Sequence, residues 1–243
     1  MELKFLGRGA AFNPKEGNNS AYFIEDKNLF LIDCGETVYK ELIVKNILKD
    51  IENIYVIITH THSDHIGSIG TLASHVYYKM NNKIKVVIPA KPDKKKYLNY
   101  IESILEATNC LNKYELINEE ELDNKFKSFA SIRYYETVHS NSLTCYCLVI
   151  STDNGYIYYS GDSKETSTVE KLIREEKKID KMYFDVTLND SEDSHHLNVN
   201  VLTKVIPNNL QDKVYCMHID SDSLIERIEE LGYKLVEEDL CQE

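Results

Sequence analysis

Short apolar runs and amphipathic stretches alternate along most of the chain. Runs such as Tyr55–Ile58 and Cys145–Ile150 have the length and the aromatic or β-branched content of buried strands. Between such runs lie stretches with helical periodicity, for example Leu224, Ile228 and Leu231 at positions i, i+4 and i+7. Hairpin-like strands come first and strand–helix alternation follows, so the pattern predicts a layered α/β architecture.

The predicted elements are spread evenly along the sequence. The strands, each a short apolar run, are Lys4–Leu6, Ala21–Glu25, Leu29–Asp33, Ile54–Ile58, Lys83–Ile88, Ile132–Thr137, Cys145–Ser151, Tyr156–Ser160, Lys181–Asp185 and Val214–Met217. The helices are Thr37–Leu48, Ile66–Lys79, Lys94–Ala107, Val169–Glu176, Val199–Ile206 and Ser221–Gly232. The sequence has no linker rich in proline, glycine or serine, and a single domain over residues 1–243 is therefore expected.

Composition and charge narrow the choice of partners. The longest apolar runs are far shorter than the ~20 residues of a membrane span, and the N-terminus lacks a signal-peptide pattern, so we expect a cytoplasmic protein without a membrane partner. The net charge of −12 argues against a long nucleic acid as partner, because phosphate binding needs a basic surface. Four clustered lysines are interpreted as a solvated surface: Lys91, Lys94, Lys95 and Lys96.

The cysteines predict no disulfide framework. None of them forms a Cys-x-x-Cys pair, and we expect all six to be reduced and to pack as small apolar residues. They are Cys34, Cys110, Cys145, Cys147, Cys216 and Cys241. Cys145 and Cys147 are two positions apart in a predicted strand, so they are expected on the same face.

The densest group of chemically active side chains directly follows a predicted buried strand. Within six positions the chain places His60, His62, Asp64 and His65. Ligand sites of α/β proteins collect at the carboxyl ends of strands, and imidazole and carboxylate groups bind zinc and similar divalent ions. Four such groups exceed what one tetrahedral ion takes from a short loop, so the spacing favours two ions that share the cluster.

This run resembles the H-x-H-x-D-H signature of the metallo-β-lactamase superfamily. Other segments match that family in the same order: Leu31–Gly35 is similar to its early strand end, and His139, Asp162 and His218 are similar to its later ligands. The resemblance covers nearly the whole chain. It implies an αβ/βα four-layer sandwich with a metal centre at one edge, between two sheets.

The resemblance also implies how the ligands are divided between two divalent ions, with zinc as the first candidate and manganese as the alternative. The first ion would take His60, His62 and His139, the second would take Asp64, His65 and His218, and Asp162 would bridge them. Asp33 is interpreted as a hydrogen-bonding residue beside the site.

Further details narrow the branch of the superfamily. His62 stands where the redox members carry an acid, and Asp162 stands near the position where true β-lactamases use a cysteine. The segment Phe184–Leu188, followed by Ser194–Asn198, resembles the E-A-T…H segment of the tRNA 3′-end endonucleases and related phosphodiesterases. In that branch the histidine of the E-A-T…H segment lies near the scissile phosphate and acts on the leaving oxygen.

Two catalytic roles follow from the resemblance. His196 fits the acid best because its separation from His218 (218 − 196 = 22) is similar to the family's, and His195 is the alternative. Asp64 is expected to orient or deprotonate the attacking water as well as to bind metal.

The expected substrate is a small phosphodiester. The tRNA enzymes carry a long arm between the third histidine and the bridging aspartate, whereas here the gap is 162 − 139 = 23 residues. The N-terminal run Met1–Asn13 is similar to cyclic-nucleotide phosphodiesterases, including those of the anti-Pycsar type. The resemblance thus implies a homodimer that hydrolyses 3′,5′-cyclic nucleotides to linear monophosphates and so counters antiphage signalling.

Three other functions remain open. They are an RNA-processing tRNA 3′-end endonuclease, a thioester or lactone hydrolase of the same fold, and a non-catalytic metal sensor or binding protein. A long arm after His139 would have favoured the first, and dispensability of His196 would favour the second.

Overall fold

A computed structural model describes residues 1–90, 95–191 and 193–239. Two of the clustered lysines, Lys91 and Lys94, lie outside the described residues, as does Cys241. Within the described ranges the chain forms two six-stranded sheets, each built from one continuous part of the sequence.

The first sheet follows chain order from one edge to the other. Its strands are β1 (Lys4–Gly7), β2 (Ser20–Glu25), β3 (Asn28–Ile32), β4 (Asn53–Ile57), β5 (Ile84–Ile88) and β6 (Tyr114–Asn118). The first three strands pair antiparallel, and β3 to β6 pair parallel. Since parallel neighbours need crossovers, helices connect β3 to β4, β4 to β5 and β5 to β6.

The second sheet repeats this plan in the second half of the chain. Its strands are β7 (Ser131–Thr137), β8 (Cys145–Thr152), β9 (Gly155–Tyr159), β10 (Ile179–Asp185), β11 (Val214–Met217) and β12 (Lys234–Leu235). An antiparallel part, β7 to β9, precedes a parallel part, β9 to β12. Parallel strands end at a common edge, so the residues that follow β9, β10 and β11 are brought together.

The helices lie outside the two sheets. They are α1 (Val38–Val44), α2 (Ser63–Ile66), α3 (Ile69–Met80), α4 (Lys95–Ala107), α5 (Ser167–Arg174), α6 (Val199–Val205) and α7 (Asp222–Glu230). Two 3₁₀ helices, Glu119–Leu122 and Asn208–Lys213, complete the regular structure of the described residues.

Two apolar clusters hold these layers together. The larger cluster joins residues of both sheets with α1, α3 and α4, and the smaller one lies between the second sheet and α5 to α7. Strand β8 contributes to both: Leu148 and Ile150 belong to the larger cluster, whereas Cys147 and Val149 belong to the smaller. This alternation buries both faces of the strand and gives the order helix, sheet, sheet, helix.

All five cysteines that the structure describes are buried and free of disulfides, as the sequence predicts. Burial raises the pKa of the Cys34 thiol to about 12 and that of Cys145 to about 11, so these two side chains remain uncharged thiols at neutral pH.

Glu119 ties the two sheets together. Its carboxylate is 4% exposed and accepts hydrogen bonds from the Ala90 amide, beyond β5, at 3.1 Å and from the Tyr134 amide in β7 at 2.8 Å. We expect Glu119→Ala to lower the free energy of unfolding by ~1–3 kcal/mol, because two buried amides lose their acceptor. Urea denaturation checks this, and an unchanged midpoint would contradict it.

The same carboxyl predicts a pH effect of defined sign. Burial raises the pKa of Glu119, so the folded protein holds this proton at pH values where the unfolded chain has lost it. Stability from this group is therefore present at low pH and is lost as the pH rises from the ordinary carboxyl pKa through the raised one. Glu119→Gln removes this contribution, and unfolding measured across that range should show a less negative slope than the parent.

Candidate metal centre and active site

A buried aspartate at the carboxyl end of β3 supports the site through hydrogen bonds. Asp33 follows that strand with a left-handed φ of 65° and is fully buried. Its carboxylate accepts hydrogen bonds from the amide and the hydroxyl of Thr59, at 2.7 and 2.8 Å, and from Nδ1 of His65 at 2.8 Å. Asp33 thus fixes the loop after β4, which is the hydrogen-bonding role predicted for it from the sequence.

The single-turn helix α2 turns Asp64 and His65 into the protein. The helix lies so close to the end of β3 that a Cβ atom on Gly35 would come within 1.9 Å of the Asp64 carbonyl oxygen. Glycine is therefore required at position 35. The Cys34 amide donates to the His65 carbonyl at 2.7 Å and fastens the two segments.

The second sheet supplies the remaining groups from its strand ends. His139 lies two residues beyond β7, Asp162 lies beyond β9, and His218 directly follows β11. Gly161 and His218 adopt left-handed φ values of 56° and 60°, which turn the chain sharply where each strand ends. All three predicted residues are therefore brought to the edge at which β4 of the first sheet also ends.

The first group of donor atoms consists of three histidines. Nδ1 of His62 lies 2.9 Å from Nε2 of His60 and 3.2 Å from Nε2 of His139. Burial is the main cause that lowers the pKa of each of these imidazoles, most strongly for His60. Neutral imidazole is the form that binds metal ions.

The second group consists of Asp64, His65, Asp162 and His218. Nε2 of His65 lies 3.2 Å from a carboxylate oxygen of Asp64 and 3.2 Å from Oδ2 of Asp162. Nε2 of His218 lies 3.3 Å from the same Asp162 oxygen. That oxygen is also 3.8 Å from His60 and 3.7 Å from His139, so Asp162 stands between the two groups.

The carboxylates and imidazoles of the second group shift each other's pKa. Burial opposes a charge on His65 and His218, but the adjacent Asp162 carboxylate raises the pKa of both imidazoles well above the usual value. Burial alone would raise the pKa of Asp162, but the adjacent His218 and His65 hold that pKa well below its usual range. The centre thus combines buried carboxylates with positive charge supplied by its neighbours.

The donor set fits divalent metal ions. The Nδ1 atoms of His65, His139 and His218 face outer acceptors, which are Asp33 at 2.8 Å, the His195 carbonyl at 3.0 Å and Asp185 at 3.2 Å. Such outer contacts orient metal-binding imidazoles and leave Nε2 directed inward. Four buried side-chain atoms of the described residues lack a hydrogen-bond partner, and two of them, His65 Nε2 and Asp162 Oδ1, belong to the second group, where a bound cation would relieve this condition.

A hydrogen-bonded pair borders these groups. Nδ1 of His196 donates to Oδ2 of Asp185 at 2.6 Å, and the His196 ring centre lies 4.9 Å from those of His139 and His218. His195 is exposed, and its ring centre is 6.0 Å from that of His139. Of the two neighbouring histidines, His196 is therefore the one that the fold directs into the centre.

A sequence profile of the family described as "Anti-Pycsar protein Apyc1" matches residues 1–240. The chain belongs to this family. The family member from Bacillus phage BSP38 is 28% identical over 239 residues, which cover 89% of this chain and 88% of the phage protein.

Solved structures place the Apyc1 family chain in the metallo-β-lactamase fold, as the sequence predicts. The metallo-β-lactamase fold protein YhfI from Bacillus subtilis aligns with a TM-score of 0.72 at 16% identity, over 99% of this chain and 98% of its own. The short form of human tRNase Z aligns with a TM-score of 0.67 at 16% identity, over 100% and 98%. Family, fold and the His/Asp groups together identify a metal-dependent hydrolase.

In this Apyc1 family member Asp185 also borders the site, which the sequence does not predict. Asp185 is the last residue of β10 and contacts His196 and His218 with its two oxygens, at 2.6 and 3.2 Å. Its position in the segment similar to E-A-T was the only signal available.

Across the described ranges, none of the helices has the length and apolar character to cross a membrane.

Proposed function

We propose that this protein is a dinuclear metal-dependent phosphodiesterase that hydrolyses 3′,5′-cyclic nucleotides to linear monophosphates. The observation that carries this proposal is the position of His196, a hydrogen-bonded imidazole at the border of two groups of metal-donor atoms. The name of the relatives, anti-Pycsar proteins, supports the cyclic-nucleotide substrate and a role against antiphage signalling.

The donor groups suit two divalent ions, zinc in the first place and manganese as the alternative. The residues that would hold them are His60, His62 and His139 in one group, Asp64, His65 and His218 in the other, and Asp162 between the two. When bound, two such ions would lower the pKa of a water molecule toward ~7 and offset the charge of a phosphodiester.

The chain's own residues would then direct the proton transfers. Asp64 faces the centre, with Oδ2 3.2 Å from His65 and 3.5 Å from His218, and we expect it to orient the attacking water and accept its proton. As the water oxygen bonds to phosphorus, the bond to the ribose oxygen breaks. His196 would give that oxygen a proton, since Asp185 holds its Nδ1–H and leaves Nε2 for the transfer.

The short connection between His139 and Asp162 favours a small substrate. Between His139 and Asp162 the chain forms only β8, β9 and their turns, which leaves no arm for binding tRNA. The net charge of −12 also disfavours a long polyanion. Resemblance to the tRNA 3′-end endonucleases, together with the human tRNase Z fold, makes that activity the second candidate.

Two further proposals rest on the family resemblance. We infer a homodimer, which light scattering after gel filtration would test. We also infer action in the cytoplasm, where cyclic nucleotides would be met, and fractionation of the producing cells would test this location.

The proposed activity is tested with protein loaded with zinc or manganese. A panel of 3′,5′-cyclic mononucleotides is incubated with it, and the products are separated; we expect linear monophosphates, and none from the His60→Ala variant. A tRNA precursor with a 3′ trailer, a lactone and a thioester serve as the competing substrates. Turnover of one of these without cyclic-nucleotide hydrolysis, at confirmed metal content, would replace the proposed function.

A further inference from the structure

Phe12 is the most exposed large apolar side chain in the described part of the protein. Its exposed fraction is 99%, compared with 69% for Tyr78 and 59% for Leu111. A benzyl side chain gains nothing from full contact with water, and most phenylalanines are buried. Such full exposure of a phenylalanine side chain is therefore unusual.

The loop that carries Phe12 is attached to the metal centre. Ile219 directly follows His218, and its amide donates to the Arg8 carbonyl at 2.8 Å. The Ile219 carbonyl accepts from the Ala10 amide at 3.0 Å and from the Asn13 side chain at 3.0 Å. Phe12 lies between Ala10 and Asn13, so its loop is anchored to the residue that follows a proposed metal ligand.

The loop is also closed on itself. The Asn13 amide donates to the Ala10 carbonyl at 2.9 Å, which forms a tight turn with Phe12 near its tip. A Cβ atom on Gly9 would lie 2.6 Å from the Gly17 carbonyl oxygen and 2.8 Å from that of Asn13. Because the backbone packs this tightly, Phe12 is presented on a defined support.

A second apolar side chain borders the same segment. The Thr187 hydroxyl donates to Asp220 at 2.7 Å, and the next residue, Leu188, is 37% exposed. Ile219 and Asp220, which follow His218, therefore anchor two loops with exposed apolar side chains, those of Phe12 and Leu188. An uncharged aromatic ring offers nothing to a phosphate, but it offers a flat face to a planar group.

We propose that Phe12 stacks on the base of the nucleotide whose phosphate lies at the metal centre. The inference rests on the proposed function and extends it to a residue that determines affinity for the base. Stacking between an aromatic side chain and a base tolerates all base types, so Phe12 would favour cyclic nucleotides over phosphodiesters without a base and would not select among bases.

Steady-state kinetics test the inference. Phe12→Ala should raise KM for cyclic mononucleotides roughly 5- to 100-fold, as expected for the loss of one stacked base, with a smaller change in kcat. For ribose 3′,5′-cyclic phosphate, which has no base, the parent and the variant should have the same kcat/KM. Phe12→Tyr, which keeps an aromatic ring, should have the KM of the parent protein. An equal loss on the base-free substrate, or a KM unchanged on nucleotides, would overturn the proposal.

A binding measurement gives a readout that does not depend on turnover. The sequence contains no tryptophan, so Phe12→Trp introduces a single tryptophan, whose fluorescence can be excited apart from that of the tyrosines. Adenosine 5′-monophosphate should quench it, and ribose 5-phosphate should not. Tyr78→Trp is the matched control, because Tyr78 is exposed and packs on Lys113 at 4.9 Å, next to the start of β6 and so at the opposite edge of the first sheet.

The outcomes separate the two proposals. Equal quenching of both tryptophans, or quenching by ribose 5-phosphate, would overturn the role of Phe12 whatever the enzyme hydrolyses. A Phe12→Ala variant that dissociates from dimer to monomer would instead assign the side chain to contact with a second copy. Absence of cyclic-nucleotide hydrolysis by the parent protein would count against the proposed function alone, since selective quenching would still show a base at Phe12.

Discussion

Asp162→Ala is expected to abolish hydrolysis and to reduce the metal content of the purified protein. One oxygen of Asp162 lies 3.2 Å from His65 and 3.3 Å from His218, and it also faces His60 and His139 at 3.8 and 3.7 Å. Loss of this carboxylate therefore affects both donor groups. We expect metal affinity to fall by more than the ~10–100-fold that removal of an outer partner costs.

Mass spectrometry of bound metal after gel filtration measures this effect. Asp33→Asn is the matched comparison, because Asp33 contacts His65 from outside at 2.8 Å and does not belong to either donor group. It should weaken binding only within the outer-partner range. A folded Asp162→Ala protein with two ions per chain would contradict the bridging position proposed for Asp162.

His196→Ala is expected to retain metal and to lose ~10²–10⁴-fold in kcat on cyclic nucleotides, the usual cost of removing a general acid. The reason is that the ribose oxygen is a poor leaving group without a proton. The p-nitrophenolate group of a p-nitrophenyl phosphodiester leaves without protonation, so hydrolysis of that substrate should fall much less in the same variant. Rates on the two substrates, measured beside metal content, separate the acid role from a structural one.

The neighbouring residues supply the controls for this prediction. Asp185→Asn should act in the same direction as His196→Ala, because Asp185 holds the His196 ring at 2.6 Å. His195→Ala should keep near-parental rates, since its side chain is exposed and only its carbonyl contacts His139. Metal loss in His196→Ala would assign this imidazole to ligation, for which its group with Asp162, Asp185 and His218 has suitable spacing.

The metal loop could be predicted from the sequence because its residues are local. His60 to His65 lie within six positions, so spacing alone indicated a metal site. His139, Asp162 and His218 are isolated polar residues at strand ends, and only the order of a known family connected them. Their convergence depends on parallel strands that share an edge, which no local pattern records.

Other features escaped the pattern for physical reasons. Strand β6 was not predicted, because it is an edge strand with mostly exposed or half-buried positions and lacks an apolar run. The predicted helix Ile66–Lys79 corresponds to α3, which begins only at Ile69, because Ile66 ends α2 and the Ser68 hydroxyl donates to the Gly35 carbonyl at 2.5 Å between the two helices. The exposure of Phe12 could not be inferred either, since the sequence around it contains no helical or strand period.

Because the chain is divided into two consecutive sheets, metal binding is coupled to the stability of their association. Residues 4–118 build the first sheet and residues 131–235 the second, and the donor groups draw on both. A chain whose halves have moved apart keeps His60 to His65 on one side and His139, Asp162 and His218 on the other, so it retains no complete site. Ions that bind only the closed arrangement stabilise it in proportion to RT ln(1 + [M]/Kd), and the free metal concentration thus sets how often the two halves separate.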